Sequence, residues 1–533
     1  MVWSWWLVAA VVAAGVCLRA LVGLGGHSGF GNPPMHGDFE AQRHWMEITY
    51  HTPVKEWYFN TTNNDLQYWG LDYPPLTAYH SWVCGWLAHN VLNPTWVALH
   101  ASRGAESGEV RLFMRSMALL ADVLVFLPAA VAYAKVAFVQ RQSEQKRRSA
   151  GLAVATATAA GDAMGVLAAL VFNPCFVLID HGHFQFNAIS LGLALWAVVC
   201  VRTGRHLLGS ALFVLSICYK QMSLYYAPVF FFNLLGSSFQ AQGRQGWLTW
   251  FFSSCCRVAL IGFVVVASFA ICFLPFIFDW TQFSQVLHRM FPLARGLFED
   301  KVANAWCIAD VVLKFRRNFD NTTLARCSLV ATVTAFLPSC VHTCFRPTQR
   351  NFSLALVNCS LSFFLFSFQV HEKSILLAAL PIALVAHRFP AVATAFMATA
   401  TITLFPLLHK DGQSLQFVSC LGVALSIHAL AFFHRLSAIK IAAVLVSVVV
   451  GAGLCVVYVV VPPPARLPDL WSLAIAAYGF VHFALALLYF TAAQLFGHED
   501  GGGGGGGDDG SVGAQVTKKQ KKKGGKHAKI KAQ

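Results

Sequence analysis

Charge is scarce in this sequence. Only 12% of its 533 residues are Asp, Glu, Lys or Arg, against about 25% in ordinary soluble domains, while 56% are hydrophobic. That balance excludes a water-soluble enzyme, a nucleic-acid-binding module and a disordered scaffold. Short alternating apolar segments are also missing, which argues against an outer-membrane barrel. The apolar runs are long and continuous, and at about 20 residues per crossing there is room for a dozen or more spans. Fifteen cysteines occur without a C-x-x-C pair or a Cys/His spacing suited to zinc. Most sit inside apolar runs as small buried hydrophobes, and spacing does not decide whether Cys84, Cys175 or Cys307 enters a disulfide. No basic n-region opens the first run, Trp3 to Leu24, and no small-residue cleavage site follows it, so it reads as a retained span.

What is present is a basic excess, +15 in formal charge. Part of it belongs to a tail, residues 498–533, where seven glycines precede eight lysines; this reads as a solvated extension with no core. The rest falls in short clusters between apolar runs. Such runs lie at 3–24, 112–138, 151–171, 187–201, 206–222, 223–235, 256–278, 323–345, 351–369, 374–387, 389–408, 413–433, 438–460 and 469–496. Fourteen crossings put Arg141 with Lys146 to Arg148, Arg202 with Arg205, Arg346 with Arg350, and Arg435 with Lys440 on one side, the cytoplasmic one. Both termini then face the cytoplasm. Residues 25–111 become one large non-cytoplasmic loop, within which 76–92 is expected along the membrane interface, and 279–322 form a second. Two crossings packed into 206–235, and the short run 374–387, predict broken or tilted helices around a cavity.

The same threading gathers polar residues at the non-cytoplasmic face: Asp38, Glu40, Asp72, Asp180 to His183, Lys220, Arg295 to Lys301, and His371 to Lys373. Ionisable groups at such depth are functional candidates, with interhelical ion pairing the structural alternative. Asp72 precedes Pro74 and Pro75, which hold the chain extended beside Tyr68, Trp69 and Tyr73. Aromatic and hydroxyl groups around carboxylates suit a sugar. Glycosyl transfer from a lipid phosphate needs one carboxylate to take a proton and cations to receive the phosphate. Lys220, Arg295, His371 and Lys373 are available for the phosphate. A phosphate departs as an anion without a general acid, and no D-x-D-like metal pair stands in the first loop, so no metal or other cofactor is expected.

Six strings carry a specific resemblance: HGDFEAQRHWMEIT (36–49), DLQYWGLDYPPLTAYHS (65–81), LIDHGHFQFN (178–187), YKQM (219–222), ARGLFEDKVAN (294–304) and HEKSIL (371–376). In this order they resemble the endoplasmic-reticulum glucosyltransferases that use dolichyl phosphate glucose. The first two strings are nearer the branch adding the first glucose than the branch adding the second. The resemblance implies an all-α polytopic GT-C fold, 1–497, in the endoplasmic-reticulum membrane, with a lumenal active site and the tail, 498–533, in the cytosol. It implies two substrates, dolichyl phosphate glucose and a dolichyl-pyrophosphate-linked oligosaccharide, among membrane lipids, and no nucleic acid. Carried onto this chain, it makes Asp72 the general base of an inverting alpha-1,3 transfer, with Asp38 the competing carboxylate. Glu40, Tyr68, Trp69, Asp180, His181 and His183, together with Asp38, are the expected acceptor-orienting groups. Phe39 and Phe186 depart from the tyrosines common in relatives. The alternatives are the second-glucose enzyme and a polytopic lipid or sugar transporter.

Overall fold

Each of the fourteen apolar runs becomes helix in the computed structural model, which describes residues 3–147, 152–240, 246–291 and 301–497. Among these residues there is no strand, as expected where lipid offers the backbone no hydrogen-bond partners. Eight helices are long and apolar enough to cross a membrane: Trp5–Val22, Gly108–Gln145, Val154–Phe184, Trp247–Cys272, Asn321–Phe345, Ser414–Arg435, Ala438–Val460 and Leu470–Leu495. The shortest, with 18 residues, is about 27 Å long, close to the hydrocarbon thickness. Burial separates centre from periphery: the apolar window of Val154–Phe184 is 89% buried, that of Trp247–Cys272 only 6%. The latter turns Phe252, Phe263, Val266 and Ile271 outward, a surface that only lipid would cover.

The other six runs form helices of 10–18 residues, Asn187–Arg202, His206–Tyr219, Ala227–Gln240, Gln349–Phe366, Leu376–Val385 and Pro390–Thr403. Both expected breaks occur. After Tyr219 the chain is extended at Lys220 and then makes a short 3-10 turn, Gln221–Tyr226; before Leu376 it makes another, Glu372–Ile375. Between the two breaks lies a cavity of about 20 Å³ bordered by Asn187, Lys220, Met222, Lys373 and Ser374, room for about one water.

Arg141, Arg202 and Arg435, one from each of three basic clusters assigned to one side, lie together at one end of the bundle. Asp162 receives Arg435 and, at 3.3 Å, Arg141; Arg388 reaches Glu144 at 3.2 Å; Arg202 donates to Gln140 at 2.5 Å. Arg115 marks the opposite end on the same helix as Arg141, 26 positions away, or about 39 Å. Lys146 and Arg147 have no described side chains, and Arg148 lies outside the described residues.

Residues 25–111 carry two helices packed on each other, Gly37–His51 and Pro75–Leu87. Gly85 allows the approach, since a Cβ there would stand 2.4 Å from the Met46 carbonyl oxygen. The second helix, with the π-helical turn Ala88–Leu92 that continues it, buries Ala78, Cys84 and Ala88 and exposes Trp82, Val83, Trp86 and Val91, a two-faced character suited to an interface. Cys84 and Cys175 carry free thiols. Residues 1–497 form one unit; the tail, 498–533, lies outside the described residues.

Candidate active site

The site begins where two helices are irregular. Val154–Phe184 ends in a π-helical turn, Leu178–Phe184, and Phe184 adopts φ 89°. A left-handed phenylalanine costs roughly 1–3 kcal/mol, and its ring is held in a buried cluster with Phe39 and Phe186. The reversal brings His183 and Gln185 to the same neighbour, Asp38, in the first turn of Gly37–His51.

Asp38 receives three donors on one oxygen. Lys373 Nζ lies 2.7 Å, Gln185 Nε2 2.6 Å and His183 Nε2 3.1 Å from its Oδ2. Burial raises the Asp38 pKa, but the Lys373 ammonium and the His183 ring outweigh it and hold the carboxyl well below its usual range. Oδ1 carries none of these three bonds, and the side chain is 25% exposed. Behind His183, its Nδ1 stands 2.5 Å from Asp411 Oδ2.

Gln185 extends the network to a second cation. Its Oε1 accepts from Lys220 Nζ at 3.0 Å, and Asn187 Oδ1 accepts from the same ammonium at 2.5 Å. Lys220 also stands over the Tyr73 ring, 4.7 Å from its centroid, which brings the ammonium beside the Asp72 segment. The extended chain at 70–73 has carbonyls that secondary structure does not use, and side chains from elsewhere satisfy them. Arg289 donates to Gly70 at 2.8 Å and to Leu71 at 3.1 Å, Gln221 to Asp72 at 3.1 Å, and Tyr58 to Tyr73 at 2.8 Å. The Asp72 side chain is half-buried in this clamp. His371 opens the Glu372–Ile375 turn, with its carbonyl accepting from Ser374 at 3.0 Å, two positions before Lys373.

Asp38, His183, Lys220 and Lys373 therefore converge, with Asp72 and His371 on adjoining segments. The other described candidates have partners of their own, Asp180 joining the network through Asn187. Glu40 is bound by Arg43 at 2.6 and 2.7 Å, and Arg43 also takes Glu47 at 2.7 Å. Tyr68 donates to Glu40 at 2.9 Å beneath the Arg103 guanidinium. Burial, followed by the Glu40 charge, raises the Tyr68 hydroxyl pKa strongly. The Trp69 indole donates to Met35 O at 2.6 Å. Asp180 accepts from Ala188 N and Asn187 Nδ2, both at 2.7 Å, and so caps the following helix. His181 pairs with Asp122, which Arg19 meets at 3.0 Å. Arg295 lies outside the described residues. Gln185, Asn187, Gln221, Arg289 and Asp411 complete the network without having stood out in the sequence.

An anchored carboxylate between two ammonium groups can accept a proton on one side and receive an anion on the other. The model of the "ALG6, ALG8 glycosyltransferase family" matches residues 15–489. A protein of Gallus gallus named dolichyl pyrophosphate Man9GlcNAc2 alpha-1,3-glucosyltransferase is 41% identical over 518 residues, 92% of this chain and 97% of its own. Proteins of the same name from Mus musculus and Saccharomyces cerevisiae are 41% and 39% identical, covering 93% and 90% of this chain and 98% and 90% of theirs. With the match running from the first long helix into the last, the chain belongs to the ALG6, ALG8 glycosyltransferase family.

Proposed function

We propose that this chain transfers glucose from dolichyl phosphate glucose to dolichyl-pyrophosphate-linked Man9GlcNAc2, forming an alpha-1,3 bond at the lumenal face of the endoplasmic-reticulum membrane. The observation that supports it best is the Asp38 carboxylate, tied through Oδ2 to Lys373, His183 and Gln185. Three donors on one oxygen orient a carboxylate and leave the other to face an acceptor hydroxyl. The geometry thus favours Asp38 as general base, with Asp72 as the competing carboxylate on the far side of Lys220. The terminal mannose 3-hydroxyl gives its proton to the base and attacks the anomeric carbon. The bond from that carbon to the phosphate oxygen breaks, and dolichyl phosphate leaves. A beta-linked donor gives an alpha product by this single displacement.

Lys373 and Lys220 are the described cations that can receive the phosphate, and His371 stands close in sequence to the first. Lys373 already holds Asp38, so a phosphate that draws this ammonium away makes the carboxylate more basic when the donor is in place. Purified protein given dolichyl phosphate glucose or dolichyl phosphate mannose, with lipid-linked Man9GlcNAc2 carrying no glucose or one, tests the assignment. Transfer of glucose only to the unglucosylated acceptor is expected. Transfer only to the monoglucosylated acceptor identifies the second-glucose activity, and passage of lipid or sugar across vesicles without transfer identifies a transporter.

A further inference from the structure

Asp411 lies in a stretch to which no function has been attached, yet it makes one of the shortest contacts around the site. It follows the helix Phe405–Lys410 in a turn with Gly412 at φ 72°. The turn is pressed onto residues 25–28: a Cβ on Gly26 would stand 2.6 Å from the Asp411 carbonyl oxygen, and Gln413 donates to the Gly26 carbonyl. The Asp411 side chain is 5% exposed and its partner His183 2%.

His183 has a carboxylate at each ring nitrogen, Asp411 Oδ2 at 2.5 Å from Nδ1 and Asp38 Oδ2 at 3.1 Å from Nε2. An imidazole can donate to both only as imidazolium. The charged groups facing it are Asp38 from Gly37–His51, Asp411, and Lys373 from the 372–375 turn, whose Nζ is 3.3 Å from Nε2. His27 acts on it at longer range, and Arg115 acts on Asp411. Two carboxylates balance the imidazolium and the Lys373 ammonium, so the cluster is neutral only while His183 keeps its second proton.

We propose that Asp411 is a positioning residue of the reaction, which holds His183 as a doubly donating imidazolium so that His183 fixes Oδ2 of Asp38 and leaves Oδ1 to the acceptor. The proposal rests on the reading of Asp38 as base. No proton moves through His183 during transfer. Its loss of a proton would cut one of the three anchors of the base, so His183 sets the alkaline limb of the rate profile. Removing the Asp411 charge disfavours the imidazolium and must move that limb toward lower pH.

The test uses the full chain in detergent or liposomes, with dolichyl phosphate glucose and lipid-linked Man9GlcNAc2. In Asp411→Asn, kcat at neutral pH should fall at least about tenfold and the alkaline limb should move down by about one pH unit. Binding of dolichyl phosphate should stay within about threefold of wild type. Asp411→Glu keeps the charge and should keep the wild-type limb even if kcat falls, which gives a second reading should the Asn variant fold poorly. A lower kcat with an unmoved limb, or a profile superimposable on wild type, overturns the proposal. If Asp38→Asn is inactive in the same assay, the base reading survives that failure; if Asp38→Asn turns over normally, the base reading falls and the proposal with it.

Discussion

Gln185 donates through Nε2 to Oδ2 of Asp38 at 2.6 Å, and this bond fixes which way the amide points. Its oxygen then faces Lys220 at 3.0 Å and Asn187 at 2.9 Å, so one neutral side chain aligns its dipole between a carboxylate and an ammonium. Gln185→Leu keeps the approximate size and deletes all three bonds. Turnover should drop at least about tenfold, and unfolding should become easier by about 1–3 kcal/mol because buried partners lose their bonds. Steady-state turnover and thermal unfolding of the purified variant check the two effects. Wild-type values in both would remove Gln185 from the network.

Two carboxylates compete for the base, and one pair of isosteric substitutions separates them. Asp38→Asn should lower turnover at least about a hundredfold, while Asp72→Asn should cost less, because its segment is held by backbone carbonyls that the substitution does not touch. Both variants should still bind dolichyl phosphate. The opposite order of effects would return the base to Asp72.

Acid should destabilise the first loop in two steps. The His27 pKa is lowered to about 4, chiefly because burial disfavours its charged ring, with the Ser28 carbonyl opposing and Arg115 and Arg111 reinforcing. For Glu47, burial raises the pKa, but the His44 bond and the Arg43 charge outweigh it and bring it to about 2. Both pKa values lie below those of the unfolded chain, which therefore binds more protons, and stability falls as pH falls. The His27 contribution is complete above about 6.5 and lost toward about 4; the Glu47 contribution is lost from about 4.5 to about 2. His27→Phe should remove the His27 share of the first step, on the order of 3 kcal/mol by pH 4, while His80, also lowered to about 4 by burial, keeps its own. Unfolding temperatures of both proteins between pH 7 and pH 4 measure it; parallel curves would exclude His27.

Four N-x-S/T sequons report the threading: Asn60, Asn321, Asn351 and Asn358. Asn60 and Asn321 are exposed, in the two segments read as lumenal, whereas Asn351 and Asn358 are fully buried. Glycan is expected on the first pair alone, with Asn321 partly modified because its helix starts there. Mobility after endoglycosidase treatment of the four Asn→Gln variants reads this directly. Glycan on Asn351 would overturn the topology.

Lys529 and Lys531 fit a K-x-K-x-x pattern, which acts as a retrieval signal where the tail faces the cytosol. Changing both to Ser should move protein from the endoplasmic reticulum to the Golgi, visible by imaging or by acquisition of endoglycosidase-resistant glycan. Unchanged retention would leave the lysines only an electrostatic role at anionic lipid.

Helices were legible because a long apolar run has one stable form in lipid, and the ends of the bundle were legible because arginine clusters such as Arg141 and Arg435 share the carboxylate of Asp162. The site was legible only where it carries charge. Asp38, Lys220 and Lys373 stand out against an apolar background; Gln185 and Asn187 do not, since a neutral amide leaves no trace until its partners are known. Asp411 was hidden by distance, in a turn beyond the last of the shared strings. Glu40 is a different case. Its spacing to Arg43 and Glu47 is that of neighbouring helix turns, an ion-pair signal readable in the sequence itself. The π-helical turn at Leu178–Phe184, which aims His183, has no local signature.

The bond between Asp38 and Lys373 joins residues 335 positions apart. At a synthesis rate of about 5–20 residues per second, Lys373 leaves the ribosome roughly 15–70 s after Asp38. Throughout that interval the first loop lacks the cation that orders its central carboxylate, and Asp411 follows later still. A chain halted before residue 411 would retain most of its membrane anchors and lack a finished centre. On the proposed roles of Asp38 and Asp411, catalytic competence is thus acquired late in biogenesis, and quality control acting on incomplete chains would meet molecules that cannot yet transfer sugar.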